Sequence, residues 1–245
     1  MRLNKYLAAS TMLSRRKADE AIAAGRVTVN NHTARHGTDV TDSDIVALDN
    51  RLVTPATNTT TVILNKPRGY VVSRDGQGSK TIYNLLPQTY QQLNPVGRLD
   101  KDSSGLLVLT NDGQLAQELT HPSRQKVKVY EVSLDKPLQP LHQQMITDHG
   151  IMLEDGISKF IISRYQLVPD KRQFNSLTHT GQIRNYKSED GHCPPNLYEI
   201  QMSEGRNRQI RRTFADLGYT VSTLHRTQFG PYRLDGLQPG AIRKV

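Results

Sequence analysis

The sequence contains a single cysteine, Cys193, so no internal disulfide can form and nothing favours an oxidising compartment. It has no run approaching the roughly 20 apolar residues of a membrane span. The opening segment MRLNKYLAAS breaks its apolar residues with Arg2, Asn4 and Lys5, which leaves no apolar stretch for a signal peptide. The expectation is a cytoplasmic protein without a membrane partner. The segment Gly76-Gln77-Gly78-Ser79-Lys80-Thr81 superficially resembles a phosphate loop, but its first glycine is misplaced and no glycine precedes Lys80, so nucleotide binding is rejected. His32 and His36 have helical ligand spacing yet fall in an expected hairpin, and His192-Cys193 offers only two soft ligands. Neither Cys-His nor Ser-His nucleophilic chemistry has local support. No metal and no cofactor are therefore expected.

Positive charge, in contrast, is in excess. Lys and Arg outnumber Asp and Glu by 32 to 23 in 245 residues, a formal net charge of +9 with a pI near 9.7. That balance favours a polyanion, nucleic acid first, over a neutral partner. The length suits one large domain plus a small one.

The first fifty residues read as a compact unit. Leu3 and Leu7 stand at i, i+4; Ser14 is placed to cap a helix whose Ala18, Ala21 and Ile22 share a face, and Gly25 ends it. Cations at that helix start, Arg15-Arg16-Lys17, oppose the macrodipole unless an anion such as phosphate offsets them. Val27 and Val29 alternate, Asn30-Asn31 supplies a hairpin turn, and Ile45-Val46-Ala47-Leu48 closes the unit. This predicts a helix-helix-sheet module at 1–48, a linker at 49–60 rich in Thr and Asn, and a larger domain at 61–245.

In that larger domain, Val62-Ile63-Leu64 and Leu106-Leu107-Val108-Leu109 are apolar runs of strand length, the second stopped by Asn111-Asp112-Gly113. Leu115 and Leu119 share a helical face that His121-Pro122 ends. Val127, Val129 and Glu131-Val132 return to strand. Ile210, Phe214 and Leu217 predict a helix over about 206–217, ended by Gly218. The fold class expected is α+β, with a mixed, largely antiparallel sheet flanked by helices. Between Leu167 and Asn196 the pattern gives way to polar residues, either a long loop or an insertion.

Two constellations carry candidate chemistry. Gly97-Arg98-Leu99-Asp100-Lys101-Asp102-Ser103-Ser104-Gly105 places two carboxylates, a guanidinium and two hydroxyls on a turn ahead of a buried strand. A plain polar turn, with Asp102 bonded to Ser104 or to backbone, is the bland alternative. Glu204-Gly205-Arg206-Asn207-Arg208-Gln209-Ile210-Arg211-Arg212 opens the last helix, so some arginines flank its buried face and need carboxylate partners while others face solvent. A solvated basic face that holds RNA backbone without chemistry is the alternative there.

The run GRLDKDSSGLLVLTNDG at 97–113 resembles the active-site motif of pseudouridine synthases of the RsuA/RluB/RluE/RluF family, which act on ribosomal RNA. Leu64-Asn65-Lys66-Pro67-Arg68-Gly69, Lys128-Val129-Tyr130, Glu204 to Arg212, and Leu224-His225-Arg226 with Gly230 are similar to further family motifs, in the same order. The segments MRLNKYLA, SRRKADEAI and GRVTVN resemble the alpha-L RNA-binding module that commonly precedes this catalytic domain. A polar stretch at 167–196 longer than the family's is a departure.

The resemblance implies that Asp100, not Asp102, is the essential carboxylate, that Tyr130 is the active-site tyrosine stacking on the extruded base, and that Arg211 pairs with Asp100, keeping it ionised and oriented. It implies RNA contacts from Arg2, Lys5, Arg15, Arg16, Lys17 and Arg26 in the module. In the larger domain the expected RNA contacts are Lys66, Arg98, Lys128, Arg206, Arg208, Arg212 and Arg226. The implied reaction breaks the uridine C1′–N1 bond, rotates the uracil and rejoins it through C5. Asp100 either attacks C1′ or removes a sugar proton, and Tyr130 or water takes the C5 proton. The wording Pro95-Val96-Gly97-Arg98-Leu99-Asp100 and Thr120-His121-Pro122 lean towards the large-subunit branch. The expected partner is ribosomal RNA or an assembly particle, bound by a monomer. A non-catalytic RNA-binding or ribosome-assembly protein is the competing reading.

Overall fold

The computed structural model describes residues 1–11, 13–54, 59–164 and 196–245. The polar stretch expected at 167–196 lies outside the described residues except for Asn196. No described helix is long and apolar enough to cross a membrane.

The N-terminal module packs helix α1 (Leu3–Ser10) against α2 (Arg15–Ala23). The Ser14 hydroxyl accepts the Lys17 amide at 3.2 Å, the N-cap bond that opens α2. Strands β1 (Val27–Val29), β2 (His32–Thr33), β3 (Val46–Leu48) and β4 (Arg51–Leu52) form a sheet in the order β2-β1-β3-β4. Both of its hairpins turn on residue pairs with positive φ, Asn30-Asn31 and Asp49-Asn50, which suits the primed turns that match strand twist. Leu3, Leu7, Ala18, Ile22, Val27 and Val46 form a core of their own, with Val53 packed on it. β4 and Val53 fall inside the stretch expected as linker. The module therefore reaches past 48, because Asp49-Asn50 folds the chain back onto β3 instead of releasing it.

The second sheet comprises β5 (Thr61–Lys66), β6 (Asn94–Val96), β7 (Ser104–Thr110), β8 (Lys128–Leu134), β11 (Ile161–Arg164), β12 (Leu197–Met202), β13 (Val221–Phe229), β14 (Tyr232–Arg233) and β15 (Ile242–Lys244), between which the hairpin β9 (Ile151–Leu153) and β10 (Gly156–Ser158) forms a separate pair. Its order is β11-β12-β8-β13-β7-β5-β15, with β6 on β7 and β14 on β13. Every pairing is antiparallel except β13 with β7.

Strands β5 and β7 are buried on both faces, which is why their sequences are unbroken apolar runs and not alternations. Val62, Leu64, Leu107 and Leu109 face one core, shared with Tyr130, Val132, Ile200, Ile210 and Phe214. Ile63, Leu106 and Val108 face another, shared with Leu119 and Phe229. Helix α3 (Gly113–Thr120), opened by the Asp112 carboxylate accepting two amides, covers the second face, and a short helix α4 (Pro140–Gln144) follows β8. The last helix, α5 (Gln209–Asp216), is shorter than the expected 206–217 because Arg208 takes left-handed backbone, φ 47°, directly before it.

The parallel pairing of β13 with β7 sets His225 opposite Ser104 and Arg226 opposite Gly105. Gly105 has φ +108°, and a β-carbon there would stand 2.2 Å from the Arg226 carbonyl oxygen. Gly105→Ala is expected to cost about 4 kcal/mol or more, combining backbone strain with a clash against backbone. A urea midpoint within experimental error of wild type would contradict this close approach.

Candidate active site

Asp100 lies on the loop between β6 and β7, and that loop is fastened from beneath by Lys66, the last residue of β5. The Lys66 side chain is fully buried. Its ammonium donates to the carbonyl oxygens of Ser103 at 2.7 Å, Asp100 at 3.0 Å and Pro67 at 3.1 Å. Burial pushes Lys66 down to about 8, against the upward pull of Asp100 and Asp102. Three acceptors use all three ammonium protons, so the group is a built-in cation under the loop. The Ser103 amide also closes the turn onto the Asp100 carbonyl at 3.1 Å, and the Gly69 amide donates to the Lys101 carbonyl at 2.8 Å. The loop's conformation is therefore held by backbone contacts that leave the Asp100 carboxylate free to project.

Two guanidiniums from the start of α5 approach this loop. Arg208 Nη1 lies 3.4 Å from Asp100 Oδ2. Arg211, half-buried, donates from Nη1 to the Val221 carbonyl at 2.8 Å and from Nη2 to the Asp102 carbonyl at 3.3 Å. Burial and the neighbouring charge of Arg208 push Arg211 down, while Asp100 and Asp102 pull it up and Arg68 adds a further cation. In this structure the ion-pair partner of Asp100 is thus Arg208, expected only as an RNA contact, whereas Arg211 bonds to backbone and reaches Asp100 through space. The reason is local: the left-handed turn at Arg208 redirects its side chain towards the loop, at a cost of about 1 kcal/mol for a residue with a β-carbon.

Helix α5 is seated by its buried face. Gln209 Nε2 donates to Ser158 Oγ at 3.1 Å and Thr213 Oγ1 bonds the same oxygen at 2.7 Å. Phe214 packs against Phe160 and Tyr219 with ring centroids 6.0 and 6.4 Å apart. Tyr130, on β8, is buried in the core that also holds Leu99, the neighbour of Asp100. Its partners in register are Ile200 on β12 and Arg226 on β13.

The remaining expected RNA contacts divide by burial. Lys5, Arg15, Arg16, Lys17 and Arg98 are exposed. Arg2 pairs with Asp39 at 3.2 Å and Arg26 pairs with Asp49, both at the surface. Lys66 and Arg226 do not reach a surface, so the expectation of RNA contact is corrected for both. Arg226 Nε donates to the Leu106 carbonyl at 2.8 Å and its guanidinium sits over the Phe229 ring. Arg206 donates to the carbonyls of Asp155, Gly156 and Ile157 and pairs with Asp155, which Arg212 also engages at 2.7 Å. These two arginines staple the β9–β10 hairpin to α5. Lys128 Nζ donates to the Ser203 and Glu204 carbonyls, holding the turn ahead of the arginine motif. Sequence reading missed Arg68, exposed and acting electrostatically on Arg211; its place two residues after Lys66 in the first motif was the available signal.

The chain belongs to the RNA pseudouridylate synthase family. The family's model matches residues 60–216, and an S4 domain matches residues 1–46. The Bacillus subtilis (strain 168) ribosomal large subunit pseudouridine synthase B is 34% identical over all of this chain and 91% of its own length. A dual-specificity RNA pseudouridine synthase RluF from Salmonella typhi is 32% identical over all of this chain and 75% of its own. A crystal structure of a pseudouridylate synthase superposes with TM-score 0.64 at 26% identity, covering 100% of this chain and 96% of the other. As an RNA pseudouridine synthase, the chain is an isomerase, and its S4 domain is an RNA-binding unit.

On the other side of the sheet from Tyr130, this pseudouridine synthase places a buried glutamate, Glu131, beside a half-buried histidine, His225. His225, paired in register with both Ser104 and Glu131, has Nδ1 2.8 Å from Ser104 Oγ. Burial pushes His225 down to about 4, and burial followed by the charge of Glu199 pushes Glu131 up to about 8. The Glu131 carboxyl is therefore mostly protonated at neutral pH. Its contribution to stability is complete below the ordinary glutamate value near 4.5 and is lost as pH rises through about 8. Glu131→Gln should abolish that alkaline loss, gaining on the order of 2 kcal/mol over wild type above pH 8 and little near pH 5. Parallel stability curves for the two proteins across pH 5–9 would refute the assignment. Lys66→Met, which leaves buried carbonyls without a donor, is expected to lower stability by about 3 kcal/mol, and an unaltered denaturation midpoint would show that the ammonium is dispensable.

Proposed function

We propose that this enzyme converts one uridine of large-subunit ribosomal RNA to pseudouridine, with Asp100 as the reacting carboxylate. The supporting observation is the anchoring of the Asp100 loop: Lys66 fixes its backbone, and the carboxylate stands at the only ion pair it makes among the described residues, half-exposed and open to a ligand. Two relatives that match this chain over its full length are named for the large-subunit reaction or for dual-specificity RNA pseudouridine synthesis. A purely RNA-holding protein would have no use for a carboxylate set among Lys66, Arg208 and Arg211.

In this reading the uridine leaves its stack and lies against Tyr130. The C1′–N1 bond breaks, the uracil rotates, C5 bonds to C1′, and the C5 proton leaves while N1 gains one, so the sum is an isomerisation. Asp100 serves either by attacking C1′ as uracil departs or by removing a sugar proton to give a glycal. Both routes use the same carboxylate, held close to C1′ by the loop. Tyr130 or water accepts the C5 proton. Arg211, anchored at Val221 and Asp102, supplies fixed positive charge beside the developing anions. The N-terminal module holds flanking RNA through Arg15, Arg16 and Lys17 at the start of α2, where exposed cations and free amides converge. The protein acts as a cytoplasmic monomer on ribosomal RNA or an assembly particle, the RNA supplying the partner surface.

Tritium release from C5-labelled uridine in unmodified ribosomal RNA tests this reading. Wild-type protein should release label, and Asp100→Asn should slow release by about 10³-fold or more while still binding RNA. No release by the wild-type protein from either ribosomal RNA, free or in assembly particles, would favour the non-catalytic alternative.

A further inference from the structure

Asp100 faces two guanidiniums and binds one. Arg208 holds its carboxylate oxygen at 3.4 Å, and both side chains of that pair are partly exposed, Arg208 at 44% and Asp100 at 32%. Arg211 sits deeper. Its Nη groups are taken by the Val221 and Asp102 carbonyls and, at 3.5 Å, by Ser103 Oγ, while its buried Nε has no hydrogen-bond partner among the described residues. The charges of Asp100, Asp102 and Arg208 all act on it. An exposed pair of this kind exchanges readily for another anion, whereas a buried guanidinium with an open donor gains by taking a carboxylate.

We propose that Arg208 is a second positioning residue, which holds Asp100 in the RNA-free enzyme and passes it to Arg211 when an RNA phosphodiester takes the Arg208 guanidinium. The exchange conserves charge pairing: two ion pairs, Arg208 with phosphate and Arg211 with Asp100, replace one pair and an unshared cation. It also explains a strained position. Left-handed backbone at Arg208, with no side-chain cap on α5, is tolerated where it presents a guanidinium to the loop. Arg68, exposed and near enough to act on Arg211, adds to the field that draws the phosphate in. Binding of RNA would thus complete the catalytic arrangement, and the unbound enzyme keeps its carboxylate paired with Arg208.

This inference rests on Asp100 being the reacting carboxylate, and the experiment separates the two ideas. Steady-state tritium release is measured for wild type, Arg208→Ala, Arg208→Lys and Asp100→Asn, with the salt dependence of RNA binding measured for each by filter retention. Exchange predicts that Arg208→Ala raises KM about tenfold at moderate salt and reduces the slope of log K against log salt by about one phosphate, 0.7–0.9, while kcat at saturating RNA falls no more than about threefold. Arg208→Lys should restore the salt slope. A kcat loss of about 100-fold with an unchanged slope would show that Arg208 stays on Asp100 in the complex, and changes in neither quantity would show that it has no part in the reaction; either result overturns the exchange. Normal turnover by Asp100→Asn would instead refute the catalytic assignment, independently of Arg208.

Discussion

The buried Lys66 ammonium is the contact on which the site depends. A lysine at the end of a strand ordinarily carries its charge to solvent, because leaving water without compensation costs several kcal/mol. Here the cost is offset by three carbonyl oxygens, two of them from the loop that carries Asp100. One side chain thereby joins the end of β5 to the turn before β7, and the loop that carries Asp100 becomes part of the sheet's rigid body. Catalysis by a carboxylate requires its oxygens to be placed to within about an ångström, and a loop free at both ends would not hold them.

The same logic extends outwards. Gly105 lets β7 and β13 approach closely enough to pair in parallel, which brings β13 beside the loop and gives Arg211 its Val221 anchor. The seat of α5, made by Gln209 and Thr213 on Ser158 and by Phe214 in the core, fixes where its guanidiniums start. Arg206 and Arg212, which look interchangeable with Arg208 in the motif, are consumed by the β9–β10 hairpin. Within one basic segment, then, two arginines build the scaffold, one stands against the loop from inside, and one meets the carboxylate at the surface.

Local patterns were legible wherever the physics is local. The Ser14 cap, the Asn30-Asn31 turn, the apolar runs of β5 and β7, the Leu115 and Leu119 face of α3 and the Ile210 and Phe214 face of α5 all rest on interactions within a few residues, and the structure places each where the pattern put it. The limits were local as well. Arg51–Leu52 looked like linker because two residues carry no periodicity, and only pairing with β3 makes them a strand. The start of α5 slipped because nothing in the amino-acid string announces left-handed backbone at an arginine.

The sequence by itself determined the chemistry available: a basic chain with an RNA-binding module, a carboxylate loop ahead of a doubly buried strand, and a helix opened by arginines. Tertiary structure decided which charges do what. Lys66 and Arg226 went inside, Arg208 rather than Arg211 met Asp100, and Glu131 came to lie buried beside His225. The physical reason is that burial and charge pairing are set by neighbours in space. Lys66 and Ser103 are 37 residues apart and Arg208 and Asp100 are 108 apart, separations that no period of strand or helix encodes.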